Sequence, residues 1–468
     1  MGTVLPLPIW IMGGPIWNVR PRQSRAPTGV RKARMRDLLV VSIVLAVLPF
    51  VFRHTWVGVM LWTWLSVMNP HKLAFGFASE LPLAAAAAGT VFISLLTTRD
   101  KLRMAWSPPV GALFAFVIWI CLTTAFAFDP AGSWVQLNKI LKIQLMTAIA
   151  LMALHERKHI ELFLWVNVLS VGFFGFKGGI FTILTGGSQR VWGPPGGFFE
   201  DNNACAVAII MVVPLMNYLR MVSTHPKVRF GLLVLMLLCA IAALGTQSRG
   251  GLLALSAMGL VLWYRSDRKM LGGLMILAVA TALLAFMPDS WERRMATIQT
   301  YEQDESSMGR LEAWQTATNV ANHRPTGAGF AMYDWATGGM YAQPGVTVIR
   351  AAHSIYFSVL GEHGYIGLSL FVLIWVLTLR VAGQLRKQTR NRPEVLWVYQ
   401  LAGMCQVALV GYLVGGIFLS LAYFDLPYNI LVVLVVTQRW LRESGSQAAG
   451  VFGSASSSHS VETQQALK

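Results

Sequence analysis

Apolar runs long enough to cross a bilayer recur along almost the whole chain, as in PPVGALFAFVIWICLTTAFA at 108–127. A span needs about twenty such residues, and its backbone must be satisfied without water, so only helices or a closed barrel will serve. The runs are continuous and do not alternate, which argues against a barrel. Only 13% of residues are charged, against about a quarter in a soluble domain. The chain therefore reads as an all-α polytopic membrane protein.

Candidate spans run from 38–52 to 427–441, and the first two, 38–52 and 55–68, are separated only by Arg53 and His54. Counting that pair as one crossing gives about twelve crossings with both ends inside, as a basic N-terminus prefers. Basic segments at 155–159, 223–229, 264–269 and 380–392 mark the cytoplasmic side. The loops at 128–138, 186–201 and 246–249 then fall on the other side, with the long interval 288–353. The expected organisation is a basic, disordered extension (1–34), a helical core (35–287), a periplasmic loop containing short helices (288–353), C-terminal helices (354–442) and a disordered tail (443–468). The extension lacks the apolar centre of a signal peptide.

The net charge of +17 sits largely in the cytoplasmic loops and the chain start, so it does not point to nucleic acid. Cys121, Cys205, Cys239 and Cys405 are scattered in or beside apolar spans, which reads as free thiols.

The polar interval 288–353 is the only long one between spans, and its face of the membrane should be poor in arginine. Yet Arg190, Arg249, Arg310, Arg324 and Arg350 all fall there. Arg249 is the most informative, because it stands in a short turn between two apolar helices, where a cation needs an anionic partner or water. Each arginine alone could snorkel or pair with a nearby acid. As a group they suit a diphosphate, which guanidinium binds in bidentate fashion. Lys177, a rare charge near the end of an apolar run, could join them.

His353 closes the interval and opens a helix, with Ser354 and Tyr356 beside it. It is either a structural residue at a helix start or a general base, since a neutral imidazole can take a proton from an attacking hydroxyl. His363, further along that helix, reads as structural. The acidic stretch 302–305 and Glu200-Asp201 read as solvated surface in preference to a metal site. A helix is expected from Ser307 to about Asn322, carrying Glu312, with Leu311, Trp314, Ala317 and Ala321 on one side. Lying on the membrane, it would suit a lid. The segment RVWGPPGGFFEDNNACA reads as a turn or re-entrant loop, in which Asn202 and Asn203 either cap the next helix or bind a sugar.

The Arg190–Asn203 segment, SRGGLLAL around Arg249, GRLEAW, RPTGAGF and HSIYFSVLGEHGYIGLSLF, in that order, resemble the bacterial O-antigen ligase and polymerase superfamily. SVMNPHKLAFGFASELP, KGGIFTILTGG and GPPGGFFEDNNA make the chain most similar to O-glycosylation ligases that accompany exosortase systems. The resemblance implies an inner-membrane glycosyltransferase without metal or other cofactor. Its donor would be a glycan on undecaprenyl diphosphate at the periplasmic face, and its acceptor a lipid A-core, protein or other hydroxyl. By position His353 would activate the acceptor, and Arg190, Arg249 and Arg310 would hold the diphosphate. EDNN departs from the simpler turn of many relatives, which leaves open what Asn202 and Asn203 do. Two other readings stand beside the ligase: a polymerase of the same superfamily, and a transporter of charged lipid, for which no internal repeat is visible.

Overall fold

The computed structural model describes residues 28–265 and 305–444, except 75, 335 and 347, together with isolated positions between 269 and 281. The described residues contain helices and no β-strand. In chain order they are α1 (Thr28–Arg53), α2 (Thr55–Met68), α3 (Leu83–Thr97), α4 (Pro108–Ala125), α5 (Pro130–Ala153), α6 (Arg157–Leu184) and α7 (Asn202–Val222). There follow α8 (Pro226–Gly245), α9 (Arg249–Arg265), α10 (Glu305–His323), α11 (Ile355–Thr389), α12 (Leu396–Gly415) and α13 (425–444).

Among the described residues, seven helices are long and apolar enough to cross a membrane: α1, α4, α6, α7, α8, α11 and α12. Helices α2 and α3 are apolar but shorter. The expected span at 270–287 lies largely outside the described residues, as do 302–304 of the acidic stretch. The segment 380–392, expected as a loop, is helical as far as Thr389. Its Ala, Gln, Leu, Arg and Lys are good helix formers, so the helix runs on past the apolar run.

The bundle is built around α7 and α13, which are buried along nearly their whole length. Close approach comes from small residues, as is common between helices in lipid. On α6, Gly175 faces Cys239 and Gly179 faces the backbone of Leu238, so α8 lies directly against α6.

Helix α11 is broken at Gly364, whose φ of 67° lies in the left-handed region. The break frees three carbonyls, and each finds a donor. The Ala328 amide donates to Gly361 O (2.9 Å), the Gly329 amide to Glu362 O (3.0 Å), and Trp119 Nε1 to His363 O (2.9 Å). A side chain at Gly364 would run into Pro325 O. The segment RPTGAGF therefore serves as the cap of a broken helix. His363 sits inside this junction, fully buried, with Nδ1 2.7 Å from Thr123 Oγ1.

Helix α10 lies on α11. Ala313, Ala317, Val320 and Ala321 are buried, and a side chain at Gly361 would touch Ala317. The buried face is offset from the expected one, and Leu311 is exposed. Helix α10 is thus docked on protein through alanines, where the sequence suggested a lid lying on the bilayer.

Candidate active site

The polar residues gather where α7, α9 and α11 begin. Asp201 is the N-cap of α7, and its carboxylate accepts from the amides of Asn203 (2.8 Å) and Ala204 (3.2 Å). Asn202 is buried and ties this start to the α8–α9 turn, donating from Nδ2 to Thr246 O at 2.8 Å. Asn203 is half-buried, and its amide nitrogen reaches Asn202 Oδ1 at 3.4 Å. Glu200 accepts from the Gly196 amide at 2.8 Å, so the Gly/Pro loop is closed on itself. These two acids hold backbone.

The α8–α9 turn, Thr246 to Ser248, is fully buried. Gln247 has a φ of 55° and donates from Nε2 to Gly187 O at 3.0 Å. The exposed Arg190 donates from Nε to Gln247 Oε1 at 3.3 Å. Arg249 is half-buried and opens α9 directly after this turn. Gly250 beside it packs against Phe418, and Phe418 lies 6.2 Å from the Trp314 ring of α10.

Trp314 joins α10 to the histidine. Its Nε1 donates to Ala352 O at 2.7 Å, and its ring stacks on Phe357 with centroids 4.7 Å apart. The next residue, His353, has a φ of 43°. A non-glycine residue in the left-handed region costs of order 1–3 kcal/mol and persists only where its surroundings hold it. Here both neighbours are buried, Ala352 by its bond to Trp314 and Ser354 as the first residue before α11. The turn projects His353 outward while the chain on either side is fixed.

The imidazole is open to solvent on one side. Enclosure of the rest by protein is the main cause of a pKa below the ordinary 6.5. The Arg310 guanidinium lowers it further, and the Asp201 carboxylate opposes both. Arg310 and Asp201 therefore lie within electrostatic reach of His353. Arg350 packs across Gly309, next to Arg310 on α10. Glu312 is half-buried on the same helix.

Two expected site residues make contacts of their own. Lys177 is exposed on α6, with its ammonium 5.4 Å from the Phe173 ring of its own helix. The Tyr356 hydroxyl donates to Leu413 O at 2.8 Å and is taken up inside the bundle. Arg324 is held at the α4–α5 turn, 3.9 Å over Phe128 and bonded to Phe126 O at 2.7 Å. Gln247 and the capping role of Asp201 were missed from sequence. An Asp directly before Asn-Asn and an apolar run is itself an N-cap signal.

An exposed histidine with a lowered pKa and a guanidinium within electrostatic reach is suited to accept a proton next to an anion. The arrangement is that of a multi-pass membrane enzyme with one polar site where several helices begin. Residues 234–372 match the O-antigen ligase family, and residues 35–224 match a family of unknown function (DUF5935). The match over 234–372 supports a place in the O-antigen ligase superfamily and a ligase- or polymerase-type membrane enzyme. A search of curated proteins finds no match.

Proposed function

We propose that the protein is an inner-membrane ligase that transfers a glycan from undecaprenyl diphosphate to an acceptor hydroxyl at the periplasmic face. His353 takes the hydroxyl proton as the oxygen attacks the anomeric carbon. Arg190, Arg249 and Arg310 match the charge of the leaving diphosphate, with Arg350 beside Arg310. A lipid diphosphate whose charge is matched leaves without a strong general acid, so the weak partner is the hydroxyl. Within the superfamily we place it nearest the O-glycosylation ligases of exosortase systems, on the segments quoted above.

The observation that carries this reading is His353 itself. It is held in a left-handed turn by buried neighbours, and partial burial and the Arg310 guanidinium lower its pKa. A histidine that only started a helix would need neither. The test is transfer by purified protein given undecaprenyl diphosphate-linked glycan and candidate acceptors. A protein, a lipid A-core or a second glycan repeat that becomes glycosylated names the subclass. Movement of lipid-linked glycan across the bilayer with no acceptor glycosylated would replace this reading with transport.

A further inference from the structure

Helix α5 carries a polar stripe that the site described above does not use. It has 24 residues, or about 36 Å at 1.5 Å per residue, and connects the ends of the two spanning helices α4 and α6. It runs antiparallel to the approach of α4, since Arg103 and Ala105 donate to Met152 O and Leu151 O at its far end. Lying antiparallel beside α4, helix α5 has the length to cross too.

One face of it is exposed: Trp134, Val135, Asn138, Lys139, Lys142 and Leu145. The apolar members stand at the two ends of this stripe and the polar ones in its middle. Lys142 lies about 18 Å from the start of the helix and about 17 Å from its end. A face bathed in lipid tails would carry the opposite pattern, because an ammonium near mid-membrane is strongly disfavoured without an anion or water.

The protein accounts for only part of this charge. Asp425 lies within electrostatic reach of Lys139, while Ser66 donates to its Oδ1 at 2.7 Å. Lys142 has no acidic partner among the described residues. The stripe also touches the candidate active site's own loop, because Lys139 Nζ stands 3.8 Å from the centre of the Phe198 ring. Phe198 is three residues from Asp201, whose carboxylate acts on His353.

We infer that Asn138, Lys139 and Lys142 form a lateral binding site for the diphosphate head of a polyprenyl lipid, at bilayer depth beside the active site. This rests on the donor proposed above. A lipid-borne diphosphate keeps its tail in the bilayer, so its head must pass a helix face to reach the arginines. Two cations and an amide on the exposed middle of α5 match that charge. Phe198 under Lys139 connects the stripe to the loop that ends at α7.

The test is local crosslinking. Asn138→p-benzoylphenylalanine, in otherwise full-length protein in phosphatidylcholine nanodiscs, is illuminated with labelled undecaprenyl diphosphate. The probe at Leu237, exposed on α8, is the control. We expect a crosslink at 138 and none at 237. Unlabelled undecaprenyl diphosphate should remove it and phosphatidylglycerol should not. Lys139→Gln/Lys142→Gln should reduce it at least tenfold, and Lys139→Arg/Lys142→Arg should restore it. An undiminished crosslink in the glutamine variant overturns the site, and equal competition by phosphatidylglycerol overturns its assignment to the diphosphate. Transfer by the wild type is measured separately. Transfer without a lysine-dependent crosslink sinks this inference alone, and a lysine-dependent crosslink without transfer sinks the ligase reading alone.

Discussion

The indole nitrogen of Trp314 donates to the carbonyl of Ala352 at 2.7 Å, and so fixes the residue directly before His353 from a helix that precedes it by about 40 positions. Trp314→Phe keeps a ring to stack on Phe357 but leaves the buried Ala352 carbonyl without its donor. A lost hydrogen bond of this kind is worth about 1 kcal/mol. The expected outcome is a slightly lowered melting temperature with transfer reduced roughly tenfold, since misplacing a reacting group by a fraction of an ångström is costly in rate. Transfer equal to wild type would show that His353 does not depend on α10.

The pH profile follows from the lowered His353 pKa. The base works when neutral, and it is neutral above its pKa. Transfer should therefore hold as pH falls to 6.5 and decline only below that, with no loss on the alkaline side from this group. Arg310→Gln removes a cation that lowers the pKa and should move the acid limb upward. Asp201→Asn removes the opposing carboxylate, keeps an N-cap residue, and should move it downward. The test is the midpoint of kcat/KM against pH for the three proteins. Shifts in the reverse sense would remove His353 from the role of base.

The break in α11 makes a stability prediction. Gly364→Ala places a side chain at a φ of 67° and against Pro325 O. The backbone strain and the clash together should cost about 3 kcal/mol, read as a clear drop in melting temperature in detergent. An unchanged melting temperature would mean that RPTGAGF does not cap this break.

If the hydroxyl attacks from the face opposite the diphosphate, the anomeric configuration inverts. NMR of the purified product should show the linkage opposite to that of the donor. Retention would require a covalent glycosyl intermediate that this account lacks.

Much of this architecture is legible in the sequence because the bilayer enforces it: apolar runs, basic loops and a single long polar interval leave little freedom. The helix at 305–323 could be read from its composition, and so could part of the face that docks: Ala317 and Ala321 are buried and Trp314 stacks on Phe357, while Leu311, on the same expected side, is exposed. Arg310 and His353 could be singled out as unusual charges for their place. Their proximity could not, since it depends on Trp314 reaching Ala352 across an interval of chain. The contacts of Lys177 and Tyr356 were likewise not legible. Each has the right chemistry, but helix phase turns one onto Phe173 and the other toward Leu413. Lys139 and Lys142 escape notice in sequence because they interrupt an otherwise ordinary span. Only the exposure of their face separates them from buried, paired charges.

His353 is proposed above as the base of a transfer from a lipid diphosphate. The direct measurement is glycan transfer in nanodiscs from undecaprenyl diphosphate-linked glycan, with EDTA present, by wild type and His353→Ala of equal melting temperature. Wild type should transfer, and the variant should lose about 100-fold or more, the usual contribution of a positioned base. A folded His353→Ala protein that transfers as fast as wild type would contradict it.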